Sequence, residues 1–318
     1  MLLLEIIEDI LPIILLMVLG YFLREKKFID DGLNKNLAFL VMNIALPSSI
    51  FVSVIKTLDL SQLGNLTGPL ISGAVILAVL YLISFILVKV CRVPHGRRGS
   101  FINGIVNTNS LFIGMPLNAA LFGDQSITYF LVFYVLSLLS IWTVGATLVL
   151  NDPSKPDAAA GGARFQPKCL LQAPLVGCVA AFLVLFFGIS IPKPLFATLN
   201  YLGNMVTGLS LIYIGISLSI AGLASIRFDK DTVVVMLVKF VLSPALTAAV
   251  FGIAAGLGGV LPAIASQTFI VQSAVPTIAV LPILATQGKG DVTYAANLVT
   301  IGTLLFVIVV PAVMLIIS

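Results

Sequence analysis

The sequence predicts an all-α polytopic membrane protein: ten transmembrane helices forming two inverted five-helix repeats, with crossed broken helices at positions four and nine. Three observations predict it. The 318 residues are 59% hydrophobic and only 9% charged, with a mean hydropathy of +1.16, whereas soluble domains carry about 25% charged residues. Apolar runs of about 20 residues recur from end to end, the length that crosses a hydrocarbon layer of roughly 30 Å. Two of these runs are interrupted at corresponding places in the two halves, by NTNSLFIGMPLN at 107–118 and VQSAVPTIAVLP at 271–282.

The spans read 5–23, 34–55, 68–90, 100–122, 127–150, 169–189, 197–222, 231–257, 261–286 and 292–316. Span one opens MLLLEIIEDILPIILL, with Glu5, Glu8 and Asp9 and no basic region, so it reads as a permanent span rather than a signal peptide. In span two Asn43 precedes Pro47 by four residues, and in span seven Asn204 precedes Gly208 by four. That match pairs Asn43 with Asn204 in corresponding helices. Prolines and glycines inside spans are acceptable, because neighbouring helices re-satisfy the freed backbone groups. The polar stretch NDPSKPDAAAGGARFQPK reads as a joint. The chain therefore divides into a first repeat at 1–150, a cytoplasmic linker at 151–168 and a second, inverted repeat at 169–318.

Lysine and arginine set the orientation. One set of alternate loops holds Arg24, Lys26, Lys27 and Lys35; Lys89, Arg92, Arg97 and Arg98; Lys155, Arg164 and Lys168; Arg227 and Lys230; and Lys289. The opposite set holds Lys56 and Lys193. The basic side is then cytoplasmic, both termini face outward, and the expected location is the plasma membrane. Five spans per half is an odd number, so the second half enters the bilayer upside down.

Several function classes are disfavoured. The net charge of +4 does not indicate nucleic acid, since the basic residues sit in short loops. Cys91, Cys169 and Cys178 are scattered and read as unpaired packing residues. His95, the only histidine, lies in the loop VPHGRR and reads as solvated, so no metal site is expected. Asp124 lies at the outer end of span four, and no Asp or Glu is plainly at mid-membrane. A carboxylate relay, an intramembrane aspartyl protease and Ser–His hydrolysis are all unsupported. No Walker A pattern occurs. Neither an enzyme nor a cofactor is expected.

The interruptions carry the functional reading. Paired broken helices in inverted repeats point to a transporter's substrate site. Proline removes an amide donor and clashes with the carbonyl four residues earlier, so helices are expected to open at Pro116 and Pro276, with Gly114 supplying unusual backbone angles. The restarting half-helices would aim partly positive N-termini at the bilayer centre, which favours an anion. Asn107, Asn109, Ser110, Gln272 and Ser273 add uncharged donors beside the breaks. The alternative is that these residues glue helices together and the prolines merely kink them. Lys239, in VVVMLVKFVLSP, sits about nine residues in from Lys230, roughly 13 Å at helical rise. It either snorkels toward the cytoplasm or acts as a countercharge for substrate or for the carbonyl ends of broken helices.

At these residues the chain resembles a known family. LPIILLMVLGYFLREKKF, LNKNLAFLVMNIALPSSIF, NTNSLFIGMPLNAALFGDQS and QAPLVGCVAAFLVLFFGISIPKPL are similar to segments of the auxin efflux carrier family. The short central joint is similar to that of bacterial members, and FLVFYVLSLLSIWTVGATLVL to permeases assigned to malate or related acids. The resemblance implies a scaffold and dimer contact built from spans one, two, six and seven. Spans three to five and eight to ten would form a mobile unit moving like an elevator. It places the crossover on Asn109, Pro116 and Pro276, and it allows Lys239 the part of a lysine near the second broken helix in related antiporters. The mid-membrane aspartate pair of those antiporters is absent, and Gly208 stands where the family usually has proline.

The expected function is secondary transport of small organic anions, mono- or dicarboxylates such as malate. Its rivals are a cation-coupled symporter of larger organic anions resembling bile-acid symporters, an anion channel and a membrane enzyme. The expected partners are the anion, the lipid bilayer and a second copy of the chain.

Overall fold

In hydrocarbon every backbone N–H and C=O must find a partner within the protein, which leaves helix as the default for apolar runs of this length. A computed structural model describes residues 2–57, 64, 66–154, 173–221, 226–258 and 261–317, and it is helical throughout apart from one isolated β-bridge. Residues 155–168 of the expected linker, Cys169 and the side chains of Glu5, Glu8 and Asp9 lie outside the described residues. Among the described residues, six helices are long and apolar enough to cross a membrane: Asn36–Lys56, Thr67–Val90, Asp124–Leu150, Lys193–Ile220, Lys230–Gly256 and Val292–Ile316. Ser110–Phe122 and Ala173–Phe186 are shorter apolar helices.

In chain order the α-helices are α1 (Leu2–Glu25), α2 (Asp31–Leu40), α3 (Leu46–Thr57), α4 (Thr67–Val90), α5 (Arg98–Val106), α6 (Met115–Phe122), α7 (Ile127–Ser140) and α8 (Ala146–Leu150). They continue as α9 (Ala173–Phe186), α10 (Lys193–Ala221), α11 (Lys230–Leu237), α12 (Ser243–Gly256), α13 (Ala263–Ser273), α14 (Leu281–Gln287) and α15 (Val292–Ile317). Widened π-helical turns join α2 to α3 (Val41–Ala45), α7 to α8 (Ile141–Gly145) and α11 to α12 (Val238–Leu242), and another precedes α6 (Ser110–Gly114). Three of these four turns are followed, two residues on, by proline: Pro47, Pro116 and Pro244. The proline ring would strike the carbonyl four residues earlier, and a wider turn swings that carbonyl aside without ending the helix. Most of these prolines therefore widen a helix rather than break it. α10 runs unbroken through Gly208.

The helices associate in two groups. α1, α2–α3, α9 and α10 pack on one another, α4, α5, α7, α8 and α11–α15 form the second set, and α6 with the turn before it touches both. Contact inside the first set is close enough to require glycine. A Cβ on Gly215 of α10 would collide with Met17 O and Tyr21 N of α1. The buried contact between the sets is apolar, with Met17, Leu211, Ile214 and Leu218 meeting Ile113, Leu117, Val271 and Phe306, and an exposed ion pair, Lys56 with Asp124, joins them at the surface. Replacing Gly215 by Val should cost at least about 1–3 kcal/mol through overpacking against backbone that cannot retreat. A lower thermal midpoint in detergent checks this.

At the loop end of the second set, Arg97 forms a node that the sequence reading used only as a charge marker. Its Nε donates to Asp291 at 2.7 Å and a terminal nitrogen to Asp229 at 2.7 Å, with Asp231 at 3.9 Å. The guanidinium also lies over the Tyr294 ring at 4.7 Å. The starts of α5, α11 and α15 are thereby tied together. Asp152 caps the start of α5 by accepting from Gly96 and Gly99 amides, both at 3.0 Å. His95 is exposed, 3.6 Å from Asp152. Partial burial alone would raise the Asp229 carboxyl, but hydrogen bonds from Thr232 and Arg97, with the Arg97 charge, hold it below its ordinary 3.8. A depressed carboxylate contributes stability that is present above its unfolded value and lost as pH falls through the folded one. The Arg97→Gln variant should therefore unfold at lower temperature than the parent at neutral pH. That difference should shrink below about pH 4, as thermal scans across pH will show.

Candidate functional site at the crossing of two broken helices

α5 ends at Val106. Asn107 follows with extended backbone (φ −97°, ψ 130°), Asn109 is also non-helical (φ −79°, ψ 62°), and helix resumes at Ser110. α13 ends at Ser273, and helix resumes only at Leu281. The two openings meet. Thr108 and Thr277 form an antiparallel bridge, and the Asn109 amide donates to Pro276 O at 2.8 Å. Thr277 Oγ1 donates to Gly104 O at 3.1 Å, and Gln272 Nε2 donates to Gly114 O at 2.7 Å. Each break thus supplies partners for groups that the other has freed, as their burial requires.

This geometry corrects two expectations. The first break lies at residues 107–109, about two turns before Pro116, which sits buried at the start of α6 after the widened turn. Pro276 does lie in its break. Gly114 has ordinary helical angles (φ −64°, ψ −46°). Its contribution is the missing Cβ, since that atom would collide with Gln272 Oε1. Glycine here lets a carboxamide reach the backbone.

The side chains singled out by sequence separate into different roles. Asn107 is buried in a chain that joins three segments. Its Nδ2 donates to Asn103 Oδ1 at 2.8 Å, its Oδ1 accepts from Ser140 Oγ at 2.7 Å, and Ser140 meets Tyr81 OH at 2.8 Å. Ser273 Oγ donates to Ile270 O of its own helix, and Ser110 Oγ meets Thr108 Oγ1 at 2.6 Å. Gln272 is 0% exposed, and its Oε1 has no partner among the described residues. Lys239 does not snorkel. It is 1% exposed and donates to Ile105 O at 3.2 Å, placing its ammonium at the carbonyl end of α5, where a cation is favoured. Asn43 and Asn204 are both exposed, and Asn43 Nδ2 donates back to Phe39 O of its own segment. No hydrogen bond joins that pair.

Asn109 is different. Its side chain makes no hydrogen bond among the described residues, and it lines a cavity of about 90 Å³. The same cavity is lined by Thr108, Ser110 and Phe112 at the first break, and by Ile278, Ala279 and Val280 at the second. Tyr134, Ser137 and Trp142 close it from α7 and the turn beyond, and Met42 from the first helix group. No lining residue is charged. The helix resuming at Ser110 begins at this cavity, and its first-turn amides have no intrahelical acceptor. At the second break the Leu281, Ile283 and Leu284 amides already donate to Ile278 O and Val280 O, and Pro282 has no amide hydrogen. Tyr134 OH is buried without a partner. The result is a donor-rich, acid-free pocket. Sequence reading missed Thr108, Tyr134, Ser137 and Trp142. Tyr134, Ser137, Leu138 and Ile141 follow helical spacing, but the segment is apolar all round and shows no preferred face.

Broken helices whose openings meet in a polar cavity inside an apolar helical protein are the architecture of membrane carriers. The chain belongs to the membrane transport protein family, the auxin efflux carrier family, whose model matches residues 5–163 and 165–314. It is 25% identical over 318 aligned residues to the uncharacterized transporter MJ1031 of Methanocaldococcus jannaschii, covering 95% of this chain and 96% of that one. It is 21% identical over 305 residues to an uncharacterized transporter of Methanothermobacter thermautotrophicus, covering 96% of each chain. With the uncharacterized transporter YfdV of Escherichia coli K12 the identity is 26% over 219 residues, covering 67% and 68%. The protein is an integral membrane transporter.

Gly114→Ala should displace the Gln272 amide from Gly114 O and cost about 1–3 kcal/mol for a buried bond left unmade. Combined with Gln272→Ala, which removes the collision, the loss should be smaller than the sum of the two single losses. Thermal or denaturant unfolding of the four proteins in the cycle reads this directly.

Proposed function

We propose that the protein is a secondary transporter of small organic anions, mono- or dicarboxylates such as malate, taken up at the crossing. The carrying observation is the acid-free cavity at the crossing, lined by the unpartnered Asn109 side chain, by Ser110 and Thr108, and by the start of the helix that resumes at Ser110. Helix N-termini and neutral donors stabilise a carboxylate without a fixed counter-ion, so the site can also release it. In this reading Asn109 and Ser110 contact the anion, and Tyr134 closes the pocket wall. Asn107 and Gln272 hold the crossing from behind, Ser273 bonds within its own helix, and Lys239 offsets the negative end of α5.

The same reading takes the chain as ten spans in two inverted repeats, 1–150 and 169–318, joined by a cytoplasmic linker at 151–168. Both termini lie outside the plasma membrane, and two copies meet through the first helix group. Transport is elevator-like. The cavity lies where Met42 of the first group faces the second, and the intervening surface is apolar, which resists sliding less than a hydrogen-bonded one.

The test is uptake and counterflow of labelled carboxylates in proteoliposomes. Asn109→Ala should reduce apparent affinity roughly ten-fold, as expected for a hydrogen bond to a charged group, with thermal stability kept. Saturable counterflow supports a carrier. Unsaturable flux, or Asn109→Ala transport equal to the parent, defeats this reading.

A further inference from the structure

A second, larger cavity of about 590 Å³ lies away from the crossing, between the end of α3 and the turn joining α9 to α10. Lys56, Lys193 and Asn200 line it, with apolar walls that include Leu185, Ile189 and Phe196. All of these belong to the first helix group, so the cavity is separate from the proposed transport site. Its cations are the two lysines that the charge pattern leaves off the basic side. Their meeting in one cavity is a tertiary fact, since the two lysines stand 137 positions apart in the sequence.

The charges are unevenly satisfied. Lys56 Nζ donates to Asn200 Oδ1 at 3.1 Å and lies 3.7 Å from Asp124 Oδ2, with both partners of that ion pair largely exposed. Lys193 makes no hydrogen bond or ion pair among the described residues. Asn200 accepts through Oδ1, which leaves its amide nitrogen to donate. Around the cavity Phe186, Phe187, Ile189 and Leu195 are exposed large apolar side chains, as on a surface bathed by lipid. Two ammonium groups and an amide at the end of an apolar cleft suit a phosphate carried on a hydrocarbon chain.

We propose that this cavity binds an anionic phospholipid, with the headgroup phosphate between Lys56 and Lys193 and an acyl chain along Ile189 and Phe196. Free phosphate shares the headgroup chemistry, so the test separates the two sources. The purified full chain in detergent is titrated with phosphatidylglycerol, phosphatidylcholine or inorganic phosphate, and binding is read by native mass spectrometry and by the shift in thermal midpoint. Phosphatidylglycerol should bind more tightly than phosphatidylcholine. Lys193→Gln should weaken phosphatidylglycerol about five-fold, and Lys56→Gln with Lys193→Gln about thirty-fold, while phosphatidylcholine is unaffected. Lys193→Arg should retain binding. Should Lys56→Gln fail to fold, the contrast between the Gln and Arg variants at position 193 decides alone. Equal binding of the two lipids, or a phosphatidylglycerol preference that survives loss of both lysines, overturns the proposal. A lysine-dependent response to phosphate without any lipid preference overturns the lipid and assigns the cavity to a free anion.

Discussion

A peptide group with no partner in hydrocarbon is costly enough to forbid open backbone facing lipid. Segments four and nine can both be open only because each stands where the other needs it. Thr277 reaches Gly104 O, Gln272 reaches Gly114 O, and the Asn109 amide reaches Pro276 O. Neither break would be tolerable alone. From this mutual satisfaction follow the placement of α6 and α14 and the cavity between the helix groups.

The surroundings are built to hold that crossing in place. Asn107, Asn103, Ser140 and Tyr81 brace the first break from behind, and Lys239 meets the carbonyl end that the break exposes. Arg97 ties the starts of three helices of the same group at its far end. Side-chain bonding braces the second helix group from within, while its buried contact with the first is apolar and the exposed Lys56–Asp124 ion pair joins the two at the surface.

Much of the fold was legible in the sequence, because membrane spans announce themselves by length and hydropathy. The positions of both interruptions were also legible, since asparagine, glutamine and serine inside an apolar run have few alternatives to a polar interior. Proline was read less well. Pro276 lies in its opening, but Pro116 follows a widened turn, because a proline clash can be relieved by π-helical geometry that leaves no mark in composition. Gly114 was seen as a source of unusual angles, whereas what it provides is room for Gln272. Tyr134 and Trp142 went unnoticed because a helix surrounded by apolar neighbours on every side shows no face.

The sequence by itself determined that the chain is an apolar helical membrane protein and that two of its segments open near their middles. It did so because hydrophobic length and local backbone chemistry are properties of contiguous residues. Which donors line the cavity and which are used up inside was decided only by the tertiary structure. Asn107 and Asn109 are two positions apart and chemically identical, yet one is enclosed by Asn103 and Ser140 and the other lines the cavity. Regular alternation would put positions 107 and 109 on one side, but the backbone leaves the extended form between Asn107 (φ −97°, ψ 130°) and Asn109 (φ −79°, ψ 62°), and only the helices packed around the break give the two side chains different surroundings.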